Sequence, residues 1–121
     1  MHQQLCALKD ILRSITQLEE AIQATYHISL TEAMVLCAID GGCRYAHDLA
    51  EDVGLSPSRL SRIIAGLERK GLLEREQNRE DRRHWQNRPT EAGKAILTHM
   101  KTEGIDIPPA LESIILVHEK E

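Results

Sequence analysis

Apolar residues recur at helical spacing over the first 26 positions. Leu5, Leu8, Ile11 or Leu12, Ile15, Leu18 and Ile22 recur at steps of three and four, with no Gly or Pro among them. That pattern predicts one long helix with a broad apolar stripe, which needs a second apolar surface to cover it. A new helix start is signalled next. Ser29 has Glu32 three residues on, the capping-box spacing, and Thr31 is the other candidate cap. Ala33, Met34, Leu36, Cys37 and Ile39 then make a second helix that is apolar on most sides, which predicts a central place for it. Gly41-Gly42 ends it.

A short third helix fits Ala46 to Val53, with Leu49, Ala50 and Val53 turned inward and Gly54 as its stop. Ser56 supplies a cap and Pro57 takes the favoured first position of a fourth helix. Leu60, Ile63, Ile64 and Leu67 line one face of that helix, and Gly71 closes it. Leu72-Leu73 open an extended piece, a polar loop follows, and Trp85 lies in a returning strand. Pro89 cannot donate a ladder hydrogen bond, which predicts a short or loose return. Thr90 caps a fifth helix carrying Ala95, Ile96 and Met100. Gly104 and Pro108-Pro109 break the chain before a last apolar helix with Leu111, Ile114, Ile115 and Val117.

Helix, tight turn and helix between Ala46 and Lys70 form the helix-turn-helix pattern, with Gly54-Leu55-Ser56 as the turn. In that motif the second helix enters the major groove of duplex DNA and its N-terminal residues reach base edges. Here those are Ser56, Pro57, Ser58, Arg59, Ser61 and Arg62. The small hydroxyls permit close approach, and Arg reads guanine or grips phosphate. The strand, loop and strand that follow make a wing. Arg79, Arg82 and Arg83 at its tip suit a minor groove, whose negative potential favours Arg.

Charge changes the picture in the same direction. The chain is net −4. Yet Ser56 to Arg88 carries nine basic and five acidic residues, a local +4 against −8 elsewhere. A basic segment on an acidic protein is an electrostatic footprint for nucleic acid. The competing account of the same charges is a solvated face of ordinary ion pairs. Aromatic residues are confined to Tyr26, Tyr45 and Trp85, so the core is aliphatic, which favours helices packed on helices. The three cysteines follow no disulfide or metal framework and read as reduced thiols of a soluble, cytoplasmic protein. No apolar run approaches the roughly 20 residues that span a bilayer. Cys6 has only His2 and Lys9 at helical spacing, and Cys43 with His47 offers two ligands where zinc takes three or four, so neither a redox nor a metal site is expected. No nucleophile elbow, P-loop or phosphate cradle appears, and no enzyme chemistry or cofactor is expected.

The sequence resembles the MarR-type winged helix-turn-helix transcriptional regulators. The resemblance is carried by Leu49-Ala50, by Leu55 to Arg62, and by Leu67 to Arg75. It is carried also by Asp81-Arg82-Arg83 followed by Thr90-Glu91-Ala92-Gly93. It implies a mainly α fold with a small β-wing, and a winged helix-turn-helix domain flanked by N- and C-terminal dimerisation helices. It implies a dimer on double-stranded DNA, with recognition helices in successive major grooves and wings in the flanking minor grooves. It implies repression relieved by a small effector. By the same resemblance Asp81 braces a wing arginine, Arg83 or alternatively Arg82. The alternative to DNA binding is a winged-helix module that binds protein, which net acidity would suit.

The corresponding organisation is an N-terminal dimerisation helix over 1–28, a winged helix-turn-helix over 29–90, and C-terminal dimerisation helices over 91–121. The apolar stripe of the first helix and the apolar last helix exceed what one small domain covers, so Leu5, Leu8, Leu12, Ile15, Leu111, Ile114 and Ile115 are the expected dimer contacts. Sedimentation at micromolar concentration is expected to return a two-fold dimer. A monomer would contradict the assignment of these residues.

Overall fold

The computed structural model describes residues 1–119 and runs α1 (His2–Tyr26), α2 (Leu30–Asp40), α3 (Ala46–Val53), α4 (Pro57–Arg69), β1 (Leu73–Gln77), β2 (Trp85–Pro89), α5 (Glu91–Glu103) and α6 (Pro109–Glu119). Its contacts group into two units. One joins Met1–Leu30 with the residues from Gly104 onward, and the other is Thr31–Glu103.

In the first unit α1 and α6 pack on each other. The uninterrupted helical periodicity explains the 25-residue length of α1, and His27 ends it in the left-handed conformation, its N–H bonded to the Gln23 carbonyl. Much of the apolar stripe stays in solvent. Leu5, Leu8 and Leu12 are 56%, 53% and 65% exposed, and Ile114 is exposed too. Ile15 and Ile115 are half-buried, while Leu111 is already covered within the single chain. The side chain of Val117 lies outside the described residues.

The second unit has an aliphatic core of Val35, Leu36, Ile39, Leu49, Leu60 and Leu67, all essentially fully buried. The second helix is less enclosed than its composition suggested. Met34 and Cys37 are exposed, because only one side of α2 is packed. Around this core α3 and α4 form the helix-turn-helix. The turn between them depends on Gly54, whose φ of 74° and ψ of 38° place it in the left-handed region that side chains disfavour.

β1 and β2 pair antiparallel over their whole lengths, from Leu73 opposite Pro89 to Gln77 opposite Trp85. The expectation of a short or loose return is therefore corrected. Pro89 occupies the last pair at the base of the wing, where it is buried, and the next residue takes over the bonding: Thr90 N donates to Leu72 O at 3.1 Å. Thr90 also starts α5. Its hydroxyl donates to Gly71 O at 2.7 Å and accepts from Gly93 N at 3.1 Å. These bonds join α5 to the end of α4, and α5 belongs to the winged-helix unit, which extends to Glu103.

Gly93 is required here by approach rather than by dihedral angle. A Cβ at this position would stand 2.3 Å from Leu72 O, a backbone atom that cannot turn aside. Gly93→Ala is expected to destabilise the protein toward the upper end of the about 1–3 kcal/mol that overpacking costs. Denaturant unfolding checks this, and an unchanged midpoint would show that the junction gives way freely.

Candidate nucleic-acid interface

The first turn of α4 is built by its cap. Ser56 is extended (φ −66°, ψ 151°) and its Oγ accepts from Arg59 N at 3.3 Å, with Pro57 at the first helical position. The Ser56 hydroxyl thereby serves the helix itself. The apolar positions Leu60, Ile64 and Leu67 are buried. That leaves Ser58, Arg59, Ser61 and Arg62 exposed, together with Pro57.

Ion pairing separates the basic residues into two groups. Arg75 on β1 pairs with Glu68 on α4 at 3.0 Å, Lys70 with Glu32 at 2.8 Å, and Arg88 with Glu76 at 2.7 Å. The last is a diagonal cross-strand pair, and Glu76 holds the Arg88 guanidinium more firmly protonated than usual. Arg59, Arg62, Arg79 and Arg82 make no ion pair among the described residues. Two of these free cations lie on α4 and two in the wing loop.

The wing loop is an ordered turn. Asn78 Oδ1 accepts from Glu80 N at 2.8 Å and Asp81 N at 3.3 Å, and the Asn78 backbone N–H donates to His84 O at 2.8 Å. Gln77 Nε2 donates to Arg82 O at 2.6 Å. Asp81 takes Arg83 as its partner, accepting from Arg83 N at 3.1 Å and from Nε at 3.2 Å, with Nη2 at 3.4 Å. His84 Nε2 lies 3.3 Å from the other side of the same carboxylate. Arg79 and Arg82 project without a carboxylate, whereas Arg83 is held against one.

Three links tie this loop and its strands to the helices. Asn78 Nδ2 donates to the Tyr45 hydroxyl at 3.0 Å, just ahead of α3. The Tyr45 and His84 rings meet edge to face, with centroids 6.2 Å apart. Asn87, only 2% exposed, donates from both its backbone N (2.9 Å) and its Nδ2 (3.0 Å) to Arg44 O. Tyr45, Gln77, Asn78, His84 and Asn87 are not among the site residues that the sequence predicts. Asn78 had a local signal, since Asn before a polar run favours a turn that bonds its own backbone two residues on. The others act across 33 or more residues, or across the hairpin, and had none.

Between α3, α4 and the sheet lies a cleft of about 400 Å³, lined by Ala46, His47, Pro57, Ser61, Arg75, Trp85 and Asn87, among others. Elsewhere the chemistry is plain. Burial, with Asp52 and Asp48 nearby, pushes the Cys43 thiol up, away from the reactive thiolate. Cys6 stands 3.9 Å from His2 on an exposed turn of α1. Among the described residues no group of three metal-ligating side chains comes together, and no helix is long and apolar enough to cross a membrane.

The Asp81 carboxyl lies below its usual range, first because the Arg83 side chain and then because the Arg83 backbone N–H bonds to it. A depressed carboxyl stabilises the folded wing above its unfolded pKa, and that contribution is lost as pH falls through the folded value. The wing turn is therefore complete at neutral pH and loosens only in acid. An NMR carboxyl titration is expected to show a low Asp81 midpoint that returns toward normal in Arg83→Ala; equal midpoints in both would contradict the pair.

The MarR family model matches residues 28–85. No curated protein matches the chain. Among solved structures it is similar to AbsC, a MarR family transcriptional regulator from Streptomyces coelicolor, at 26% identity and a TM-score of 0.70, over 85% of this chain and 74% of that one. It is similar to a mutant MarR from E. coli complexed with operator DNA, at 25% identity and a TM-score of 0.67, over 73% of this chain and 63% of that one. The transcriptional regulator BldR from Sulfolobus solfataricus shares the fold at 20% identity and a TM-score of 0.69, over 98% and 81%. The chain spans 65% of the length of wild-type apo MarR from E. coli. The matched residues run from just before α2 through β1 and the wing loop to the first residue of β2, and over them the chain is similar to the MarR family.

Proposed function

We propose that this protein is a sequence-specific DNA-binding transcriptional regulator of the cytoplasm, a repressor that works as a homodimer and is relieved by a small effector. The exposed first turn of α4 meets base edges, and the wing reaches the neighbouring minor groove. The observation that carries the proposal is the division of the arginines. Arg75, Arg83 and Arg88 are spent on carboxylates, while Arg59, Arg62, Arg79 and Arg82 are left free on the helix and wing. Free cations at two neighbouring places are what a polyanion with two grooves requires. The similar E. coli protein solved with operator DNA supports the same partner. Asp81, through Arg83, braces the wing for this contact.

The partition of roles has measurable consequences. On DNA from upstream of its own gene, Arg59→Ala is expected to lose about 1–3 kcal/mol, and much less on random duplex, as for a lost base contact. Arg79→Ala and Arg82→Ala are expected to weaken both DNAs alike and to flatten the salt dependence by about 0.9 in log–log slope per phosphate released. Titration of each variant against both duplexes at two salt concentrations checks this. Equal losses for Arg59→Ala on both DNAs would place α4 on the backbone instead. Affinity indifferent to salt would favour the protein-binding module.

A further inference from the structure

We infer that Trp85 is a further DNA contact, whose indole packs against the sugar–phosphate strand that crosses the cleft between α4 and the wing. The inference rests on the function proposed above and names a part of the partner that no arginine accounts for.

The register of the hairpin places Trp85 on a definite side. Residues directly opposite in an antiparallel pair share a face, and the face alternates along the strand. Leu73 and Pro89 are buried, Arg75 and Asn87 come next, and Gln77 and Trp85 end the row. Trp85 thus belongs to the side of the sheet that covers the helices. It has nevertheless run past the end of the core and is 50% exposed. A large ring in that position leaves apolar area in water that a partner would cover.

The surroundings indicate which partner. Trp85 lines one wall of the cleft, and Pro57 and Ser61 from the first turns of α4 line the other. A duplex with α4 in its major groove and the wing in the adjacent minor groove has one sugar–phosphate strand between those grooves, and that strand passes over this cleft. Charge agrees with a polyanion. Arg59 and Arg62 stand on the α4 side and Arg79 and Arg82 on the wing side, none with an ion-pair partner among the described residues. The one carboxylate in the cleft wall, Glu68, is neutralised by Arg75 at 3.0 Å. An indole offers deoxyribose an apolar face and a single N–H donor for phosphate oxygen.

The test uses the full chain and its only tryptophan, so the fluorescence belongs to Trp85 alone. Titration with upstream DNA should change its emission in step with binding followed independently by anisotropy of labelled duplex. Trp85→Ala is expected to weaken operator and random DNA alike by about tenfold, the scale of apolar area covered by a half-exposed ring. Trp85→Phe should recover most of that loss and folds if the smaller variant does not. The decisive readout is salt. An uncharged contact releases no counterion, so the log–log slope should equal that of the unsubstituted protein, unlike the flattened slope of an arginine variant. Emission unchanged at saturation, or wild-type affinity in both variants, would overturn the inference. A flattened slope in Trp85→Phe would overturn it too, showing that Trp85 acts by placing wing arginines. Failure of the unsubstituted protein to bind any duplex would overturn the proposed function instead, and this inference with it.

Discussion

The backbone carbonyl of Leu72 is the point on which the winged helix depends. It receives Thr90 N, and it lies so near residue 93 that only glycine fits there. The neighbouring Gly71 carbonyl receives the Thr90 hydroxyl, which also caps α5. The chain thus leaves α4, runs out along β1, returns along β2 and enters α5 through one small junction. Because the junction fixes both ends of the hairpin, the wing cannot slide along α4 without breaking several backbone bonds at once. Arg44 O, held twice by buried Asn87, and the Arg75–Glu68 pair fix the middle of the hairpin to the helices. Tyr45 and Asn78 fix its tip. These bonds tie the wing to α4 and to the segment ahead of α3 within their unit.

Electrostatics then divides labour within that unit. A surface ion pair contributes little stability in water, so Arg75–Glu68 and Arg88–Glu76 matter more for where they hold the strands than for how strongly. Their second effect is to remove those arginines from competition for phosphate. Of the cations left over, Arg59 and Arg62 lie on α4 and Arg79 and Arg82 in the wing loop. An acidic protein with a locally basic face is attracted to DNA in one orientation, and the acidity elsewhere opposes the others.

Local chemistry made the helix-turn-helix readable from the sequence. Gly54, Ser56 and Pro57 each have one physical use in a turn between helices, and α3 lies at Ala46–Val53 as they predict. The same holds for Thr90, whose capping bond is local. The wing was less readable because its order comes from distant partners. Nothing near Tyr45 announces Asn78, and Asn87 interrupts an alternation that would have marked a strand. Pro89 misled for a related reason. Its lost donor matters inside a ladder, but the register puts it at the end, where Thr90 supplies the next bond. Leu111 shows the limit of apolar spacing, which marks a residue as needing cover without telling whether its own chain already provides it.

If α4 and the wing are one reading head, DNA should engage both at once. Amide chemical-shift mapping during titration with a cognate duplex tests this most directly. The largest changes are expected at Ser58 to Arg62 and at Arg79 to Trp85, growing together with a single dissociation constant. Changes at α4 with the wing amides unmoved, or changes centred instead on the exposed Met34 and Cys37 side of α2, would contradict it.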